Sequence, residues 1–222
     1  MKSKLLFLVL SGIFFLSGCT YIQKSRRTDE LEAENANLKY KISQLQKENV
    51  KAVERVAEEK DKELSELERA KLELEASLKK EIGEYKAKLK MTERGLVITF
   101  VSEVFFDSGK DKVKQDGESA LLKVSEVLNR DVPSSEVAIE GYTDNDPIKH
   151  SGWKTNWELS SARALAVLHY FVDECKVKPQ RLSANGYGEF RPVAPNDSAQ
   201  DKQKNRRVEI VILPSKISKV KN

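Results

Sequence analysis

The sequence predicts an α+β protein in two parts, a long α-helical stalk followed by a compact βαβαββ domain whose mixed sheet packs on helices. Two observations carry this. Between Tyr21 and Met91 there is no proline, Gly83 is the only glycine, and Glu, Lys, Ala and Leu dominate, all strong helix formers. From Gly95 onward the pattern changes to short apolar runs separated by amphipathic stretches, as expected of a domain of about 120 residues. With 33% of the 222 residues charged, much of the chain cannot be core, so a solvated, extended segment is required.

At the N-terminus, Lys2 and Lys4 precede an apolar run from Leu5 to Leu16 that is short for a membrane span. Residues 1–18 therefore read as a cleaved signal peptide. The run ends in Leu16-Ser17-Gly18-Cys19, which resembles the lipobox of bacterial lipoproteins. That resemblance implies acylation of Cys19, palmitate included, with residues 19–24 as the lipidated start of the mature chain. An ordinary secretory signal with an incidental cysteine, or an N-terminal membrane anchor, are the competing readings. Two or more acyl chains give durable anchorage where one does not. Thr20 stands where Asp would resemble the inner-membrane retention signal of enteric bacteria, so the outer membrane is expected, with the C-terminal domain in the periplasm. Cys175 is the only other cysteine, so no intramolecular disulfide can form once Cys19 is lipidated, and Cys175 reads as a small apolar packing residue. The formal charge of +4, reduced to +2 without the two leader lysines, is spread over interspersed charges of both signs, which excludes a nucleic-acid footprint.

Residues 25–92 are expected to form the stalk. Leu31, Leu38, Leu45 and Ala52 recur every seven residues, and Asn35, Ile42, Asn49 and Val56 fall four residues after each, which is the d and a pattern of a coiled coil. Asparagines at a favour a parallel, in-register homodimer. A single solvated helix is the competing reading. Leu67 lies fifteen residues after Ala52 rather than fourteen, implying a one-residue skip near residues 58–61. Leu64, Leu67, Leu74, Leu78, Ile82, Tyr85 and Leu89 then continue a less regular seam, interrupted by Lys71 and Glu81. Roughly 65 helical residues would reach on the order of 100 Å.

In residues 95–213, the stretch 95–106 reads as a strand or hairpin. Ala120, Leu121, Val124, Val127 and Leu128 form one face of a helix that ends before Pro133. Strands follow at 137–142, 181–187 and 206–213, with a second helix at 156–174. Residues 214–222 are a flexible tail by default.

Glu140-Gly141-Tyr142-Thr143-Asp144 is followed by Asn156-Trp157-Glu158-Leu159-Ser160-Ser161-Ala162-Arg163-Ala164, then by Gly186-Tyr187-Gly188-Glu189, Pro192, Asn196 and Asn205-Arg206-Arg207-Val208-Glu209-Ile210. This resembles the OmpA-like (OmpA/MotB C-terminal) peptidoglycan-binding domain over most of residues 95–213. The resemblance implies a non-catalytic protein that takes peptidoglycan as its partner and needs no cofactor. It places the family's ligand-binding aspartate and arginine at Asp144 and Arg163, with Thr143, Asn156, Leu159 and Ser160 as the other binding positions.

The residues also speak for themselves. Asn156, Ser160 and Arg163 lie at i, i+4 and i+7 at the start of one helical face, where free N–H groups and the positive end of the macrodipole favour a carboxylate. Arg163 adds a bidentate clamp. Asp144, at the carboxyl end of a strand, suits an ammonium group, so the pair fits a zwitterion such as the meso-diaminopimelate of wall stem peptides. The competing reading is an internal Asp144–Arg163 ion pair that fastens loop to helix.

Two departures from the family pattern stand out. Tyr142 replaces the frequent histidine, and residues 145–155 are longer than usual, in which Asp144-Asn145-Asp146-Pro147-Ile148 looks closer to the flagellar stator protein MotB. A stator needs a membrane-spanning helix with a proton-carrying acid, whereas the long apolar segment here ends in a lipobox. Trp153 and Trp157 read as packing residues that fix this loop, with a binding-site wall as the competing role. His150 has no second His or Cys at ligand spacing, so no metal site is expected. Glu140 and Asp144 share a strand side by alternation but lack an evident acid partner or nucleophile, so no glycoside hydrolysis is expected. The function expected is an outer-membrane lipoprotein that tethers the membrane to the wall. The alternative is an envelope scaffold that recruits another protein through its coiled coil and uses wall binding only for localisation.

Overall fold

The computed structural model describes residues 2–84, 86–149 and 151–214, with side chains from Lys24 onward. The side chain of Cys19, His150 and the tail beyond Pro214 lie outside the described residues. The chain divides into two units, residues 1–57 and 58–222.

Without proline to interrupt it, helix α1 runs Lys2–Ser77. In the first unit the heptad residues Leu31, Leu38, Ile42 and Leu45 are 48% to 59% exposed, an apolar stripe left open along a charged helix. The second unit changes that character. Leu67, Ala70, Leu74 and Leu78 are buried in the same core as the sheet. Their spacing of three, four and four residues lays them on one helical face, so leucines that read as a continuing seam are the first layer of the domain's own core. Arg69 and Glu73 of this stretch pair with Asp131 and Arg130 at 3.5 and 3.4 Å. The skip expected near residues 58–61 coincides with the boundary between the units.

The stalk expected over residues 25–92 also ends sooner than its composition suggests. A short helix α2, Lys79–Gly83, is followed by strand β1, Ala87–Thr92. Lys88 and Lys90 of β1 are exposed while Ala87, Leu89 and Met91 turn inward, a period of two that the helix-forming residue types disguise. A two-residue turn at Glu93 and Arg94 leads to β2, Gly95–Val101, paired antiparallel with β1 from Thr92↔Gly95 onward. Gly95 has a φ of +117°, and a Cβ there would lie 2.1 Å from the Ile212 carbonyl oxygen.

The remaining elements are α3 (Gln115–Arg130), β3 (Val137–Tyr142), α4 (Asn156–Asp173), β4 (Leu182–Gly186), α5 (Ala199–Asn205) and β5 (Arg207–Ile212). The expected βαβαββ order is present, with β1 added in front and α5 added between the last two strands. The five strands run β1-β2-β5-β3-β4, antiparallel except for the parallel β3–β4 pair that α4 connects. Alternation splits the sheet. Leu96, Ile98, Phe100, Ile139, Ile210 and Ile212 face the core shared with Leu121, Leu128, Val167 and Phe171 of α3 and α4.

The opposite face carries Val97, Ala138 and Val211 and then a charged ladder. Glu140 stands directly across from Glu209 and Tyr142 across from Arg207. The repulsion between the two acids is offset by Arg94, which bonds Glu140, and by Arg207, whose Nε donates to Glu209 at 2.7 Å while its guanidinium lies 3.6 Å over the Tyr142 ring. Tyr142 donates to Glu140 at 2.7 Å, and burial, then this bond, push its phenol pKa up.

Because Leu74 is core and Leu38 is not, Leu74→Ala should destabilise residues 58–222 by about 2–5 kcal/mol in urea unfolding, whereas Leu38→Ala should leave their transition unmoved. Equal transitions for both variants would show that the end of α1 is not part of the domain.

Candidate functional site

The site is built where α4 begins over the ends of β3 and β4. A Cβ on Gly141 would stand 2.1 Å from the Ser160 carbonyl oxygen, and one on Gly186 2.1 Å from Ser161 Oγ. These paired glycines let the helix approach the sheet at backbone contact. Beyond the strand, Thr143 N donates to Gly188 O at 2.9 Å, which fixes where the chain leaves β3 and where Asp144 stands. The start of α4 is capped by Thr155, which accepts from Glu158 N, and Glu158 in turn accepts from Lys154 N at 2.8 Å.

A cleft of about 550 Å³ opens beside this junction. Five of the six expected binding residues line it, namely Thr143, Asp144, Asn156, Leu159 and Arg163. Ser160 does not. It is fully buried, donates to Trp157 O at 3.0 Å and accepts from Gly188 N at 2.9 Å, so it joins α4 to the turn after β4. The i, i+4, i+7 face therefore divides between cleft and sheet, because close packing on Gly141 and Gly186 consumes position 160.

Arg163 is buried to 5% exposure, and among the described residues it forms no ion pair with a carboxylate. Its Nε donates to Lys110 O at 3.0 Å and its Nη2 to Asp107 O at 3.2 Å, and its guanidinium lies 5.2 Å from the Phe106 ring centre. Burial pulls its pKa down to about 10. Two of the five N–H donors of the fork are thus spent on the loop that shapes the cleft. Glu103, Asp144 and Asp111 offset part of the burial from a distance, and a carboxylate in direct contact would offset more of it.

Asp144 does not pair with Arg163. Its Oδ2 accepts from Arg206 Nη1 at 2.6 Å and its Oδ1 from Asp146 N at 3.2 Å. Arg206 Nε and Nη2 also donate to Glu103 at 2.9 and 2.8 Å. Burial disfavours the Arg206 charge, but the bonds to Asp144 and Glu103 outweigh it and raise its pKa. Arg206 and Glu103 escaped the sequence reading. Arg206 was visible only as one letter of a motif, and Glu103 follows a strand with no pattern of its own.

Asn156 organises more than it presents. Its Nδ2 donates to Glu189 at 2.8 Å and to Asp146 O at 3.1 Å, tying the loop after β3 to the turn after β4. Trp153 fixes the long loop as expected, through a 3.1 Å bond from Nε1 to Gly109 O. Trp157 does not: it is 47% exposed and stacks on Phe190 instead. Asn205 is fully buried, accepting from Val193 N and Ala194 N and donating to Ala194 O and Asn196, which gives the Asn196 and Asn205 positions a structural role. Glu140 and Tyr142 lie on the opposite face of the sheet, so the departure at Tyr142 leaves the cleft untouched, and no Glu140–Asp144 pair is assembled.

Among the described residues, four buried side-chain polar atoms lack a partner, and three of them, on Ser102, Thr143 and Ser151, belong to residues lining the cleft. Its charged lining mixes Glu103, Asp107, Asp144 and Asp146 with Lys149, Arg163 and Arg206. Orphaned hydroxyls and charges of both signs suit a polar, zwitterionic ligand. Among the described residues no cluster of three or more His, Cys, Asp or Glu could hold a metal, and no helix is long and apolar enough to cross a membrane.

Residues 105–206 match the profile of the OmpA family. The chain carries an OmpA-family domain. Motility protein B of Bacillus subtilis (strain 168) is 40% identical over 149 residues, which are 67% of this chain and 57% of that protein. The cell wall anchor of the T6SS from Pseudomonas aeruginosa superposes with a TM-score of 0.58 at 28% identity, covering 64% of this chain and 96% of that one. A MotB-like protein from Desulfovibrio vulgaris gives a TM-score of 0.63 at 26% identity, covering 69% of this chain and 94% of that one. The OmpA-family domain here thus has the OmpA/MotB C-terminal peptidoglycan-binding fold.

The cleft loop is tied to α5 by Lys202 Nζ, 2.7 Å from Asp146 Oδ1. That bond lowers the Asp146 pKa, so the bridge contributes above the ordinary carboxylate range and is lost as pH falls through the lowered value. Lys202→Met should move the Asp146 carboxyl titration, followed by NMR, upward. An unchanged midpoint would refute the bridge.

Proposed function

We propose that this protein is a non-catalytic tether whose OmpA-family domain grips the meso-diaminopimelate of peptidoglycan stem peptides while lipid on Cys19 holds the outer membrane. The observation that carries the reading is Arg163, buried in the cleft with no carboxylate partner and with N–H donors to spare. The ligand carboxylate docks on that fork. Its ammonium meets Asp144, which retains acceptor capacity beyond its bonds to Arg206 and Asp146. Thr143 supplies an unspent hydroxyl, and Leu159 packs against the ligand's aliphatic part.

Purified protein mixed with sacculi and spun down should be retained. Asp144→Ala and Arg163→Ala should each lose at least about tenfold in retention, as expected when one partner of a buried charged contact is removed. Arg163→Lys should lose nearly as much, since a point charge cannot reproduce the fork. Full retention by folded Asp144→Ala and Arg163→Ala would sink the assignment.

The membrane half of the proposal is supported by the leader and by Leu16-Ser17-Gly18-Cys19. The paired stalk is supported by the heptads and by the open stripe at Leu31, Leu38, Ile42 and Leu45. A second copy of the chain, in parallel register, covers that stripe. Leu38→Lys combined with Leu45→Lys should convert a dimer to a monomer in sedimentation. A wild-type monomer would remove the paired stalk.

A further inference from the structure

Trp157 and Phe190 form an aromatic surface that the fold itself does not use. Trp157 is 47% and Phe190 61% exposed, and their rings stack at 5.0 Å between centroids with 21° between planes. Neither belongs to the core, and Val193, three residues after Phe190, is also 61% exposed. Such an uncovered apolar patch on a rigid surface marks a contact site.

Both rings are carried on fixed backbone. Trp157 sits in the first turn of α4, two residues after the Thr155 cap, and Phe190 N donates to Tyr187 O in the turn whose Gly188 has φ +56°. The patch is joined to the cleft wall through one hydrogen bond. Asn156, which lines the cleft, bonds Glu189, and the two rings belong to the residues that follow each of these.

We propose that the Trp157–Phe190 pair is a stacking platform for a pyranose ring of the glycan strand, beside the cleft that takes the stem peptide. This rests on the stem-peptide reading. Diaminopimelate stands two residues away from the sugar-borne end of the stem, a reach of on the order of 7 Å or a little more, which brings a sugar within range of the surface beside the cleft. A pyranose offers a flat face of C–H groups whose partial positive charge suits the negative face of an aromatic ring. Its hydroxyls stay in water at an exposed platform. The cleft reads the peptide and the platform reads the chain to which it is attached.

Calorimetric titration of the full protein with the free stem tetrapeptide and with the disaccharide-tetrapeptide tests this. The wild type should bind the disaccharide form about three- to tenfold tighter. Trp157→Ala, and separately Phe190→Ser in its exposed loop, should abolish that difference while leaving tetrapeptide affinity within about twofold. Arg163→Ala should weaken both ligands alike. Equal wild-type affinities, or variants that weaken both ligands together, would overturn the platform and leave the peptide reading standing. Absence of saturable tetrapeptide binding to the wild type would fell the peptide reading and the platform with it.

Discussion

Helix α4 can settle on β3 and β4 only because residues 141 and 186 carry no Cβ. Side chains there would stand 2.1 Å from Ser160 and Ser161. Everything at the cleft follows from that contact. It buries Ser160, sends Arg163 inward beneath the loop at 107–110, and leaves Asp144 at the strand end within the same cavity. A helix held even slightly farther out would lose the Ser160 to Gly188 bond and the shared wall of the cleft.

The Arg163 guanidinium fastens α4 to the loop at 107–110 and still keeps N–H donors unspent. Arg163 is held by two carbonyls and an aromatic ring but by no acid, although four acids line the same cleft. The acid nearest in expectation, Asp144, is taken by Arg206, which also gathers Glu103. That arrangement keeps opposite charges apart within one cavity, so a ligand that carries both signs finds a counterpart for each.

The domain was legible because its motifs are anchored in geometry. The Gly141 and Gly186 positions encode helix–sheet contact, Asn205 encodes a loop clamp, and the 137–142 strand was bounded correctly by its burial on both faces. Ser160 lies off the cleft wall because its helical face serves two neighbours, the cleft and the sheet. The end of the stalk was misread for a related reason. Leu67 and Leu74 keep a heptad spacing whether the surface they meet is a partner helix or the domain itself, and only the skip after Ala52 hinted at the change. Strand β1 was hidden by its lysines, which favour helix in isolation but protect an exposed sheet edge here. Arg206 was unreadable as a site residue because its role depends on a contact between the junction of α5 with β5 and a loop 62 residues away in sequence.

The account stands on the claim that Arg163 waits for a carboxylate. Side-chain NMR of the Arg163 Nε–H during titration with meso-diaminopimelate observes that group directly. The account predicts a saturable shift of this resonance with meso-diaminopimelate and none with cadaverine, which keeps the ammonium groups but has no carboxylate. An Arg163 resonance that stays still, or that moves equally with both compounds, would contradict it.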